Sequence, residues 1–198
     1  MITFDNDLNT SRIFRTDSFL KKEECEILID YALKQKKEIA TVGNNVLNTD
    51  IRSNNLVWLS PKNHPTLHWL FAKVSHIIQE VNEHVYKFDL YGLVEDFQFT
   101  AYENIDDHYE WHIDSGSLQT TRKLSVTIQL SDPKDYEGCE LEFAHEDASD
   151  QAPPLPETLK RGQGSITIFP SFLAHKVTKL ISGKRYCLVI WCSGKPFK

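Results

Sequence analysis

The chain has 198 residues and a formal net charge of −6, with 40% hydrophobic and 25% charged residues. Such proportions describe an ordinary globular protein, long enough to bury a sizeable core in one domain without disulfide staples. The acidic balance excludes a nucleic-acid binder held by broad phosphate neutralisation, though not a local basic patch.

At the start of the chain, Met1 to Asp7 form neither a basic nor an apolar run, so no signal peptide is expected. No stretch approaches the roughly 18 apolar residues of a membrane span, and a cytoplasmic location is the expectation. A first helix is predicted over residues 21–37, where Cys25, Leu28, Ile29, Ala32 and Leu33 fall at helical spacing. Glu23, Glu24 and Glu26 open it and Lys34, Lys36 and Lys37 close it, an order that complements the helix dipole. The usual Ser or Thr N-cap is replaced by Lys21 and Lys22. The second helix starts at Pro65, and Leu67, Leu70, Phe71, Val74, Ile77, Ile78, Val81 and Val85 recur at steps of three and four. Its apolar face is expected to pack on a sheet. His64 marks its start, and His68, His76 and His84 are expected to be solvated.

From about residue 90 the period becomes alternating. Phe97, Phe99 and Ala101 alternate with Gln98 and Thr100, and Leu124, Val126, Ile128 and Leu130 with Ser125, Thr127 and Gln129. The latter is the pattern of a half-buried strand. Short strands are predicted at 140–143, 165–169 and 186–192, separated by turns at Asp132-Pro133, Glu137-Gly138, Gly162-Gln163-Gly164 and Ser182-Gly183-Lys184. Residues 144–161 hold three prolines and several acidic side chains. They read as an exposed loop of the length that marks mobility or a functional lid. The fold class expected is mainly β with flanking helices (α+β), a sandwich or barrel covered by the N-terminal helices. Cys25, Cys139, Cys187 and Cys192 form no CxxC pair, so free thiols are expected rather than a zinc site or disulfides.

The chemistry is concentrated in His112-Ile113-Asp114. In an extended strand, positions i and i+2 face the same way, so an imidazole and a carboxylate there can hold adjacent corners of a metal's coordination shell. His175 follows beyond the predicted strand that ends at Phe169-Pro170. Two imidazoles and one carboxylate on one face leave three open positions, which suits Fe(II) oxygen chemistry, whereas a structural zinc site closes with four ligands. Arg185 comes ten residues after His175, across the turn at residues 182–184. A hairpin there is expected to return its guanidinium beside the histidine, ready for the far end of a dicarboxylate.

Three ordered runs carry a resemblance: Arg122-Lys123-Leu124-Ser125-Val126-Thr127-Ile128-Gln129-Leu130-Ser131, Tyr136-Glu137-Gly138-Cys139-Glu140-Leu141-Glu142-Phe143, and Phe169-Pro170-Ser171-Phe172-Leu173-Ala174-His175-Lys176-Val177. They resemble the prolyl 4-hydroxylase-like branch of the 2-oxoglutarate/Fe(II) oxygenases, and within it the small hydroxylases called PKHD-type. The similarity is strongest from about Phe97 to Trp191. It implies a double-stranded β-helix (jelly roll, cupin-like) with N-terminal helices packed on the major sheet. One dioxygenase domain would cover 1–198, with 1–90 as helical support and 91–198 as the core bearing the metal site. His112, Asp114 and His175 are then the iron ligands, and Arg185 the partner of the far carboxylate of 2-oxoglutarate. Tyr102 can add its hydroxyl to that carboxylate. Trp191 shares strand parity with Arg185 and should face the interior near the cosubstrate, where packing explains it equally well. Lys184 should point away.

Cofactors implied are Fe(II), 2-oxoglutarate as cosubstrate and O2, with ascorbate as reductant. Implied too is hydroxylation of an unactivated C–H with release of succinate and CO2, a prolyl residue of a protein or peptide being the first substrate to test. The alternatives are a free amino acid or small molecule, and a non-catalytic metal-binding jelly roll. The Asp114 carboxylate argues against a halogenase. Nucleic-acid demethylation is disfavoured because 179–185 lacks the Arg-x-Asn-x-Thr-x-Arg run of alkylation-repair relatives. One departure is Gly138-Cys139, where relatives carry two glycines. His108 is expected at the pocket mouth, on the surface or supporting the site rather than as a ligand, and His145 in solvent. Specificity is expected in residues 42–52 and 144–161.

Overall fold

The computed structural model describes residues 13–42, 46–116, 119–144 and 162–196. His145, most of the predicted 144–161 loop and the extreme N-terminus lie outside the described residues. In chain order the elements are β1 (Phe14–Thr16), α1 (Lys22–Leu33), β2 (Glu38–Ile39), β3 (Arg52–Ser53) and β4 (Asn55–Leu59). A 3₁₀ turn (Pro65–Leu67), α2 (His68–Val81) and a π turn (Asn82–Tyr86) follow. Then come β5 (Leu90–Gly92), β6 (Phe97–Tyr102), β7 (His108–His112), β8 (Arg122–Gln129), β9 (Tyr136–Gly138) and β10 (Leu141–Phe143). The chain finishes with β11 (Ile166–Pro170), β12 (His175–Val177), β13 (Leu180–Gly183) and β14 (Arg185–Gly194).

Two antiparallel sheets form the expected jelly roll. The major sheet runs β1-β11-β8-β14-β6-β4-β2, with β5 also on β14; the minor sheet runs β10-β12-β7-β3; β13 and β9 form a separate ribbon. Thus the first ninety residues supply strands to both sheets, besides their helices.

The outer face of the major sheet is the apolar one. Leu124, Val126 and Ile128 from β8, Leu188 and Ile190 from β14, and Phe97 and Phe99 from β6 join Leu28 of α1 and Leu70, Val74 and Ile78 of α2 in one core. Phe71 of α2 meets Phe97 with ring centroids 4.3 Å apart. Each such buried apolar side chain contributes roughly 2 kcal/mol relative to exposure, so the amphipathic face read from the sequence is what fastens the helices. His68, His76 and His84 are exposed, as expected. Asn82 closes the helical run: its side chain donates to and accepts from the backbone of Phe88, at 2.9 Å each way.

α1 is shorter than its predicted span. It stops at Leu33, so Lys34, Lys36 and Lys37 lie beyond its last turn. Lys34 pairs back to Asp30 at 2.9 Å, and Lys37 reaches Glu103 at 2.6 Å. The missing Ser or Thr cap is replaced by Glu24, whose carboxylate accepts the Lys21 N–H at 2.7 Å.

β8 corrects a second expectation. Its alternation predicts a half-buried strand, yet Ser125 and Gln129 are as inaccessible as Leu124 and Ile128. The polar face of this strand turns not to water but to the space between the sheets. No helix among the described residues is long and apolar enough to cross a membrane.

Candidate metal centre

β7 and β12 are neighbours in the minor sheet, and their register sets His112 directly opposite His175. The rings lie 4.2 Å apart. Asp114 is not in the strand, contrary to the extended i, i+2 reading, because β7 ends at His112. The chain turns there, held by the N–H groups of Asp114 and Ser115, both donating to the Ser171 carbonyl at 2.9 Å. That turn swings the carboxylate between the two imidazoles.

Nε2 of His112 is 3.7 Å from one Asp114 oxygen, and Nε2 of His175 is 3.6 Å from the other. One ligand atom from each of the three side chains lies within 4.8 Å of the others. Each imidazole is anchored by its far nitrogen: Nδ1–H of His112 donates to the Glu110 carbonyl at 2.7 Å, and that of His175 to the Leu173 carbonyl at 2.8 Å. These bonds fix the tautomer and leave the Nε2 lone pairs converging. Burial, assisted by neighbouring His175 and opposed by Asp114, pushes the His112 pKa down to about 4, so its neutral, ligating form prevails at neutral pH. For Asp114 burial works upward, but His175, His112 and then the Ser125 hydroxyl outweigh it and hold the carboxyl below its ordinary value. Ser125 Oγ–H donates to Asp114 Oδ2 at 2.6 Å and lies 2.9 Å from Ser171 Oγ. Tyr109 stacks on His112 at 3.5 Å, and Phe169 meets His175 edge-on at 4.8 Å. Two imidazoles and one carboxylate are a donor set that fits a divalent first-row metal with positions left open on one side.

That side opens on a cavity of about 500 Å³ between the sheets, lined by Tyr102, Thr127, Arg185 and Trp191 among others. Arg185 is 2% exposed. Its Nε–H donates to Gln129 Oε1 at 3.0 Å, while its buried Nη1 meets no acceptor. A buried guanidinium with an orphaned donor is a receptacle for a carboxylate. The hairpin expected between His175 and Arg185 does not form, because β13 pairs with β9 and β14 enters the major sheet between β8 and β6. Arg185 therefore reaches the cavity from the sheet opposite His175.

Tyr102, opposite Arg185 in register, is buried, with its ring centre 5.4 Å from the guanidinium carbon. Trp191 is on the inner face opposite Ser125, with the Arg122 guanidinium 3.7 Å above its ring and Trp58 6.4 Å away. Lys184 points outward, as expected. His108 does not line the cavity: it is buried, with Nδ1 and Nε2 at 2.7 Å and 3.1 Å from the carbonyls of Asp106 and Asp50. His64 takes a structural partner, Tyr31 Oη at 2.7 Å. In the Gly138-Cys139 turn both residues have positive φ, 81° and 53°, and the Cys139 thiol is buried. The left-handed conformation costs a non-glycine residue about 1–2 kcal/mol, and no ligand is displaced. All four cysteines are free and buried.

Sequence reading missed Ser125, Gln129, Arg52 and Arg122. A signal for the first two was present: polar residues at alternate positions of the most apolar strand have to face something other than solvent.

Residues 97–193 match the model of the 2OG-Fe(II) oxygenase superfamily. Among curated relatives, a PKHD-type hydroxylase of Psychrobacter is 32% identical over 100 residues, covering 47% of this chain and 36% of the relative. Another PKHD-type hydroxylase, from Prochlorococcus marinus, is 38% identical over 86 residues, covering 42% of this chain and 35% of the relative. The matched segment thus spans little more than a third of either relative's length. Among solved structures, a Trichoplax adhaerens prolyl hydroxylase in complex with a hypoxia inducible factor peptide fragment superposes with a TM-score of 0.76 at 17% identity, covering 96% of this chain and 86% of that one. A Pseudomonas putida prolyl-4-hydroxylase gives 0.71 at 18% identity, with 96% of each chain covered.

Proposed function

The chain belongs to the 2OG-Fe(II) oxygenase superfamily, and from that premise we propose that it is a 2-oxoglutarate-dependent hydroxylase acting on a prolyl residue of a protein or peptide. In this reading His112, Asp114 and His175 hold Fe(II), Arg185 takes the far carboxylate of 2-oxoglutarate with Tyr102 beside it, and Trp191 walls the cavity. Bound Fe(II), with 2-oxoglutarate and O2, supplies the oxidising power to hydroxylate an unactivated C–H, with release of succinate and CO2.

The residues of the chain do the rest. The Glu110 and Leu173 carbonyls hold the imidazoles of His112 and His175 by their Nδ1 atoms, leaving each Nε2 to hold a metal ion. Ser125 orients the third ligand through its Oδ2. Gln129 aims the Arg185 fork by holding its Nε. Phe169 and Trp191 line the cavity beside the ligand residues with apolar surface.

One observation carries the reading: the converging His, Asp and His atoms share a cavity with a buried guanidinium whose Nη1 lacks an acceptor. The prolyl substrate is supported by the prolyl hydroxylases among the structural neighbours. Anaerobic titration with Fe(II) and then 2-oxoglutarate should develop the weak visible band of the metal chelate. Absence of that band would mark a non-catalytic module. Succinate formation, with ascorbate present, should then be stimulated by proline-containing peptides. Stimulation by free amino acids alone would replace the prolyl substrate with a small molecule.

A further inference from the structure

The cavity holds a second buried arginine that the reading above leaves without a task. Arg52 begins β3, lines the cavity together with Tyr109 and His112, and is 8% exposed. Among the described residues its partners are neutral. Nε–H donates to Asn54 Oδ1 at 2.9 Å, and the guanidinium carbon lies 4.5 Å from the centre of the Tyr109 ring. Arg122, the third arginine on the cavity, is by contrast neutralised by Glu95 and laid flat on Trp191.

The charges of the loaded site show what is left over. A divalent metal, the Asp114 carboxylate, dianionic 2-oxoglutarate and the Arg185 guanidinium sum to zero. Among the described residues Arg52 is then left as a buried cation with no acidic partner, a charge that burial penalises unless a counter-charge meets it. The cosubstrate's two carboxylates are already committed, to the metal and to Arg185. An anionic group on the molecule that enters last would supply that counter-charge.

We propose that Arg52 is an anion subsite for the primary substrate, which presents a carboxylate to this guanidinium while its reacting C–H faces the metal. The inference rests on the oxygenase reading and narrows its substrate to one bearing a carboxylate near the reacting carbon. Either a main-chain carboxylate, of a free amino acid or C-terminal residue, or an acidic side chain flanking the target residue would supply it. The bidentate chemistry is the same for both.

The test uses the full chain loaded anaerobically with Fe(II) and 2-oxoglutarate, and matched probes that differ only in the carboxylate. N-acetylproline against N-acetylprolinamide reports a main-chain carboxylate, and acetyl-Pro-Glu-amide against acetyl-Pro-Gln-amide an acidic neighbour. Binding is read from perturbation of the visible chelate band, and succinate formation is measured alongside. Wild type should prefer the carboxylate member of at least one pair by about ten-fold or more, as expected for two charge-assisted hydrogen bonds in a desolvated site. The pair that discriminates identifies the source. Arg52→Gln should erase the preference while 2-oxoglutarate affinity changes less than about three-fold, within the scatter of such measurements. Asn54→Asp is an independent variant that leaves Arg52 in place but gives it an internal carboxylate at the atom it already contacts, and it should erase the preference too. Wild type that binds both members of each pair alike, or neither, overturns the proposal, as does a preference that survives in the two variants. A chelate band that never forms would instead bring down the oxygenase reading itself, and this inference with it.

Discussion

Replacing Arg185 by alanine removes the cation at the far end of the cavity and nothing that touches the metal. The guanidinium is 2% exposed, tied to Gln129 through Nε, and offers a buried Nη1 with no acceptor. Two charge-assisted hydrogen bonds to a buried carboxylate are each worth about 1.5–3 kcal/mol. Their loss, with a carboxylate left uncompensated at a buried position, amounts to about 3–5 kcal/mol. At 1.4 kcal/mol per decade that is a rise of roughly 10² to 10³-fold or more in the Kd for 2-oxoglutarate. Iron affinity should stay within a few-fold of wild type, because the converging ligand atoms come from His112, Asp114 and His175 alone. Anaerobic titration separates the two quantities, with Fe(II) binding followed first and growth of the chelate band against 2-oxoglutarate second. An Arg185→Ala protein that binds 2-oxoglutarate within three-fold of wild type, or loses iron along with it, would refute the assignment.

Other consequences are equally direct. Asp114→Ala should abolish tight metal binding, read by equilibrium dialysis with Co(II), since two imidazoles alone leave the charge of the ion unmet. Ser125→Ala should weaken that affinity about ten-fold or more, the range for lost outer-shell partners, whereas Ser125→Thr keeps the hydroxyl and should restore most of it. The metal-free protein should lose stability in acid. His112 titrates near 4 when folded against about 6.5 unfolded, so the unfolded chain takes up the extra proton between those values. Stability from this group is full above pH 6.5 and falls by about 1.4 kcal/mol per pH unit towards pH 4. Thermal melting across that window, flatter in His112→Gln, checks it. Gly138→Ala should destabilise by about 2 kcal/mol or more in denaturant melts, because its φ is 81° and a Cβ would lie 2.2 Å from the Lys179 carbonyl oxygen. Gly116→Ala, with no atom of the described residues within 4 Å of the added Cβ, should be close to neutral.

The sequence by itself determined the helix faces and the long central strands, because period in hydrophobicity is a local property that burial on one side enforces. Leu70, Val74 and Ile78 could be read as one face of α2 before any sheet was seen. It also supplied the candidate residues His112, Asp114, His175 and Arg185, which the fold brings to one cavity. It gave no sign of β3 and β4 within the first ninety residues, where two- and five-residue strands are too short for alternation to register. Nor did it reveal how Arg185 arrives. Nearness in chain suggested a hairpin, while pairing of β13 with β9 sends β14 into the opposite sheet.

Only the tertiary structure decided what the polar face of β8 was for. Ser125, Thr127 and Gln129 looked like a solvated face because alternation states which residues share a side, never what lies across from it. The same holds for Arg52, which comes to line the cavity beside His112 only once the two sheets face each other. Periodicity is written along the chain, but electrostatic partnership is settled between strands distant in sequence.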